Sequence, residues 1–174
     1  MPTVVLPDPP PAEFEQLLER RRRTGADRHD ELWEGVLHMA PAPHSRHAEL
    51  QIQVMDLLRE PATTAQLKRV GDFNLGETDD YRVPDGGLLR LGPTQLYHPT
   101  AALVLEILSP SDETWDKLPF YATHQVDEVL IIDPDQRTVQ WLTLGADSSY
   151  HRIQGSAIID LTAPELATHI DWPA

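Results

Sequence analysis

The chain has 174 residues and a formal net charge of −14, from 14 basic and 28 acidic side chains, with no cysteine. Disulfides and thiolate metal sites are therefore excluded, and general affinity for nucleic acid is disfavoured, because it rests on neutralising phosphates with Lys and Arg. No window reaches the roughly 18 apolar residues of a membrane span, and Met1 to Phe14 lacks a basic segment followed by an apolar one. A cytoplasmic protein without membrane contact is expected, as one domain over residues 1–174.

Residues 1–10 are rich in proline and read as an extended lead-in. A first helix is predicted from Pro11 to Arg23, with Phe14, Leu17 and Leu18 on one face and Arg20 to Arg23 at its negative end. Glu31 to Met39 reads as a hairpin turning at Glu34-Gly35 and ended by Pro41-Ala42-Pro43. A second helix is predicted from a Ser45 cap to about Arg59, with His47, Leu50, Val54, Leu57 and Leu58 facing inward. Gln66–Phe73 and Tyr81–Leu89 read as strands separated by an acidic turn, with a bend or bulge expected at Gly86-Gly87. A loop from Gly92 to Pro99 precedes the apolar run Leu103 to Leu108. The short helix after Ser109-Pro110 is expected to start near Pro119, placing Lys117 at or before its N-terminus and Tyr121 in its first turns. Val126–Ile132 reads as a buried strand forming a hairpin with Thr138–Leu144. Tyr150–Ile153 and Ala157–Ile159 read as weaker edge strands, and the tail from Leu161 as holding one helical turn.

The chemistry gathers around Leu103 to Tyr121. Glu106 is a lone carboxylate in a strand that should be apolar on both faces. A charge there is costly unless a cation or a metal pairs it. Upstream, Asp85 ends a strand-like piece after Pro84, and downstream lies Lys117, one of only two lysines in the chain beside Lys68. Two carboxylates on neighbouring strand ends can share Mg²⁺ or Mn²⁺, which activates a water against a phosphodiester. An ammonium beside them can orient that water or stabilise developing charge. Lys117 as an ordinary surface lysine, and Glu106 as a buried carboxylate paired with an arginine, are the structural alternatives.

The order Glu34-Gly35 in a hairpin, His47 opening a helix, Pro84-Asp85, Leu105-Glu106-Ile107-Leu108-Ser109-Pro110-Ser111, Asp116-Lys117 with Tyr121, and Val126 to Pro134 resembles the Uma-two family of restriction-endonuclease-like proteins. That family is a branch of the PD-(D/E)XK nuclease superfamily. The resemblance covers residues 10 to 155 or so and implies an α/β (α+β) core with a mixed sheet flanked by helices. It implies Asp85 and Glu106 as metal ligands, with Lys117 completing the catalytic set. The superfamily's usual Glu-x-Lys would put lysine at position 108, which is Leu108; the resemblance to this branch implies a lysine on the following helix instead, which here is Lys117. Glu34, His47 and Tyr121 resemble accessory residues.

The implied activity is a Mg²⁺- or Mn²⁺-dependent endonuclease acting on DNA, with a homodimer expected because cutting a duplex needs two sites or two visits. Such a nuclease needs a local basic cleft, for which Arg46, Lys68, Arg69, Arg82 and Arg90 are the candidates. The alternative is a catalytically inactive nuclease-fold protein serving as a binding or assembly module.

Overall fold

The computed structural model describes residues 11–41, 44–109 and 113–173. The proline-rich lead-in, the end of Pro41-Ala42-Pro43, and Pro110-Ser111 lie outside the described residues. Helix α1 (Ala12–Thr24) begins after Pro11 and ends at Gly25, whose φ of 70° is the left-handed cap that glycine supplies without strain. Strands β1 (Glu31–Trp33) and β2 (Val36–His38) form the expected hairpin. Glu34 and Gly35 both have positive φ, which gives the turn the twist that two-residue hairpins favour. Helix α2 (Ser45–Leu57) is capped by the His44 ring, which accepts from Arg46 N, rather than by Ser45. A further short helix, α3 (Arg59–Thr64), follows directly where the sequence pattern was losing its helical period.

The chain then passes through β3 (Leu67–Val70), β4 (Asn74–Glu77), β5 (Asp80–Arg82), β6 (Gly86–Arg90), β7 (Tyr97–His98) and β8 (Leu103–Ile107). Next come α4 (Thr114–Thr123), β9 (Glu128–Asp133), β10 (Thr138–Leu144), β11 (Tyr150–Ile153) and α5 (Ala163–His169). The fold is α+β, with two mixed sheets flanked by five helices among the described residues. One sheet runs β2-β1-β5-β4-β7 and the other β11-β10-β9-β8-β6-β3. Tyr81–Leu89 is thus not one strand. Pro84 has no N–H for a ladder, and the chain leaves the first sheet at Arg82 and enters the second at Gly86. Ala157–Ile159 forms no strand: Ala157 N donates to Glu128 Oε1, and Ile158 N and Ile159 N donate to Ser156 Oγ. No helix among the described residues is long and apolar enough to cross a membrane.

The larger sheet is buried on both faces. Leu103, Leu105, Ile107, Leu130 and Ile132 pack with Leu50, Val54, Leu58, Leu166 and Ile170 of the helical layer. Val104, Val129 and Ile131 point the other way, toward Phe120 and Tyr121 of α4 and Leu75 of the smaller sheet. The strict alternation along β8 puts Glu106 on the α4 side. Gly86 and Gly87 are not a bulge but regular strand positions with no room for a side chain. A Cβ on Gly86 would lie 2.9 Å from Met55 Sδ of α2, and one on Gly87 would lie 2.5 Å from Leu103 O. These glycines let α2 and β8 close on the strand that begins just after Asp85. Gly87→Ala is expected to lower unfolding free energy by about 1–3 kcal/mol, the usual cost of overpacking, measured by urea titration; an unchanged midpoint would show that the strand pair yields freely there.

Candidate active site

Asp85 and Glu106 come together through strand register. Strand β6 pairs antiparallel with β8, with Gly86 opposite Leu105. One step further along that register, Asp85 faces Glu106, and Asp85 Oδ2 accepts from Ile107 N at 2.7 Å. Helix α2 fixes the same aspartate from its other side. His47 Nε2 lies 2.8 Å from Asp85 Oδ1, and Gln51, one turn on, donates to the Asp85 carbonyl at 2.6 Å. The i, i+4 spacing of His47 and Gln51 lets one helix face hold both the carboxylate and its backbone.

Glu106 is only 3 % exposed. Lys117 Nζ lies 3.2 Å from its Oε1 and 3.4 Å from its Oε2, and the Tyr121 hydroxyl donates to Oε1. Lys117 and Tyr121 are four apart on α4, so one helix face supplies both contacts. The helix begins at Thr114, earlier than expected, and holds Pro119 in its interior. Lys117 therefore sits in the first turn proper, where its position is fixed by the helix. Glu106 is paired with a lysine and not with an arginine.

A second carboxylate meets the ammonium. Glu31 Oε1 of β1 lies 2.9 Å from Lys117 Nζ and also accepts from Val83 N at 2.8 Å. Glu31 Oε2 accepts from Trp33 Nε1 at 2.6 Å. Glu31 was not singled out in the sequence, because an acidic residue opening a short strand usually faces water. The usable signal was period: Glu31 and Trp33 share one face of β1. Glu34, the hairpin residue that was singled out, is exposed in the turn, where its N–H donates to Asp80 Oδ1.

One cation among three carboxylates sets the electrostatics. Burial pushes Glu106 up to about 8, reinforced by Asp85 and Glu31 and opposed by Lys117 and Tyr121. Burial alone would lower Lys117, but Glu106, Glu31 and Asp85 outweigh it and hold the ammonium above its usual range. Tyr121 is raised well above the ordinary phenol by burial and by Glu106 and Glu31. Lys117 is thus a fixed cation and Tyr121 a fixed donor, and neither is suited to act as a base at neutral pH.

The family model "Putative restriction endonuclease", Uma2, matches residues 11–171. The chain belongs to the Uma2 family. Comparison with curated proteins gives no match. Among solved structures, a "putative nuclease belonging to DUF820" from Anabaena variabilis superposes with a TM-score of 0.64 at 16 % identity, covering 80 % of this chain and 90 % of that one. That likeness carries the fold. This Uma2 chain thus has a nuclease-like architecture in which Asp85, Glu106, Lys117, His47 and Tyr121 form one connected cluster.

The five candidate basic residues do not join that cluster as a groove. Arg82 is buried between rings, its guanidinium carbon 4.3 Å from the Trp33 centroid and 3.9 Å from that of Phe120. Arg46 pairs with Asp135, Arg90 with Asp127, and Arg69 with the Met55 carbonyl. Lys68 and Arg90 lie toward the far end of the β3–β6 pair, and Arg90 is about 16 Å along the strand from Asp85 at the standard rise.

The Glu106 carboxyl, raised to about 8, is largely protonated at neutral pH, and it costs the fold stability, a loss that sets in above the ordinary carboxylate range and is complete above about 8. Replacing it by Gln in the metal-free protein is expected to leave the melting temperature equal or a few degrees higher, at about 2–4 °C for each kcal/mol in a chain of this size. Scanning calorimetry in EDTA checks this, and a marked drop would instead make Glu106 a structural partner of Lys117.

Proposed function

We propose that this protein is a metal-dependent DNA endonuclease that hydrolyses phosphodiester bonds through an activated water, with Asp85 and Glu106 as its metal ligands. The observation that carries the reading is the side-by-side placement of Asp85 and Glu106 on paired strands with Lys117 against Glu106. The donor set fits a hard cation. Both ligands are carboxylate oxygens, and their mutual repulsion contributes to the raised Glu106. Among the described residues no group of three or more His, Asp or Glu forms a ready metal cage. Mg²⁺ and Mn²⁺ keep several waters and use a few carboxylates together with substrate phosphate. A bound divalent ion would polarise the phosphate and supply hydroxide near neutral pH.

The chain's own residues do the rest. His47 orients Asp85 through Oδ1, while the Ile107 N–H holds Oδ2. Tyr121 fixes the rotamer of Glu106. Lys117 offers positive charge where the phosphoryl oxygens gain negative charge in the transition state. A homodimer presenting two such sites would cut both strands of a duplex, and the cytoplasm is the proposed compartment.

The arginines neutralised by their own carboxylates favour a second reading, a binding or assembly module whose nucleic acid, if any, is delivered by a basic partner. Titration calorimetry with Mn²⁺ separates the two. The nuclease reading expects one site in the wild type that disappears in both Asp85→Asn and Glu106→Gln. Cleavage of single-stranded or duplex DNA should fall about 100-fold in kcat for Lys117→Ala, the scale of losing one transition-state donor. Equal or absent Mn²⁺ binding in all three proteins would move the reading to the module.

A further inference from the structure

The hairpin β1–β2 stands outside the Asp85–Glu106 strand pair, yet two of its side chains grip α4. Glu31 and His38 are directly opposite each other in the hairpin. Glu31 holds Lys117 Nζ at 2.9 Å, and His38 Nδ1 lies 3.0 Å from Glu113 Oε2. Glu113 and Lys117 are four apart, so one cross-strand pair meets one helical i, i+4 pair. His38 is buried and stacks on Trp33 at 4.1 Å between centroids, and Trp33 in turn donates to Glu31. The grip is therefore braced from within the hairpin. It also reaches the other carboxylate strand, because Glu31 accepts from Val83 N, two residues before Asp85.

We infer that Glu31 is the positioning residue for Lys117, and that the β1–β2 hairpin, through Glu31 and His38, sets where the ammonium stands relative to Glu106. This rests on the nuclease reading for its functional meaning. If Glu106 alone held Lys117, the ammonium would share its one carboxylate with any cation bound there. Glu31 lies outside the proposed ligand pair and is 2 % exposed, so it can keep the ammonium anchored whatever Glu106 binds. A buried charge left without a partner is expensive, and Glu31 gives Lys117 a second one, closer than Glu106.

The chain contains only two lysines, so an amine-reactive ester labels Lys117 with Lys68 as an internal reference, read by peptide mass spectrometry. In Glu31→Gln the Lys117 to Lys68 labelling ratio is expected to rise about tenfold as the buried amine is released. Cleavage kcat should fall about 100-fold with KM unchanged, and Mn²⁺ binding by calorimetry should persist. An unchanged labelling ratio would overturn the proposal, as would a kcat loss no larger than the loss of folded protein. Loss of Mn²⁺ binding would also overturn it by making Glu31 part of the metal pocket. If Glu31→Gln does not fold, His38→Gln loosens the second grip alone and should raise the ratio about threefold by local opening; no rise there overturns the proposal too. The labelling needs neither metal nor DNA. A wild type that cleaves nothing would thus defeat the nuclease reading while the ratio still decides whether Glu31 holds Lys117.

Discussion

The Lys117 ammonium, buried between Glu106 and Glu31, is the interaction on which the site depends. Each of these ions carries a desolvation penalty of several kcal/mol when taken from water. The arrangement persists because each carboxylate has more than one donor. Glu31 takes Val83 N and Trp33 Nε1 as well as the lysine, and Glu106 takes the Tyr121 hydroxyl. The consequence is geometric. Glu106 belongs to the larger sheet, Glu31 to the smaller one, and Lys117 to the helix between, so satisfying one cation fixes three elements relative to each other. Apolar packing alone, being non-directional, would tolerate a slide of α4 that this ion cluster does not.

That requirement also explains which parts of the fold could be read from residues. The hairpin at Glu34-Gly35, the α2 stripe of Leu50 and Val54, and the buried strands β8 and β9 follow from local period and turn chemistry. The start of α4 did not follow, because Pro119 is commoner at a helix start and here sits in the interior. The ties of Lys117 to Glu31 and Glu106, and of Glu113 to His38, hold the first turn and outweigh the lost Pro119 N–H. The division of Tyr81–Leu89 between two sheets was hidden for a similar reason. A proline between two apolar pieces marks an interruption but not which sheet each piece joins. The glycines that looked like a bulge are instead demanded by Met55 and by the Leu103 carbonyl, both distant in sequence.

Of the candidate site, the burial of Glu106 beside a cation was legible because a carboxylate in an otherwise apolar strand needs a partner. Asp85 and Lys117 were legible by their order around it and by family resemblance. Glu31 and His38 were not, because their importance comes from being opposite each other and four residues apart on a different element, a relation that exists only after folding. Glu34 drew attention through the family resemblance, yet it stands exposed in the turn, and the buried carboxylate of the hairpin is Glu31.

The acidic surface and the treatment of arginine belong to one account. With 28 acidic side chains against 14 basic ones, an exposed arginine is seldom far from a carboxylate, and Arg46, Arg69 and Arg90 each have one within reach. Arg82 has been removed from the surface altogether and works as a cation between two rings, with Asp80 and the Leu32 carbonyl on its guanidinium. It lies in the same strand end as Val83 and stacks on the ring that donates to Glu31, so its charge serves the framework around Lys117. Of these cations only Lys117 and Arg82 stand at or beside the site, while Arg46, Arg69 and Arg90 are paired elsewhere. A phosphodiester reaching Asp85 and Glu106 would meet the Lys117 ammonium beside them, while Arg46, Arg69 and Arg90 are already held by carboxylates of this chain.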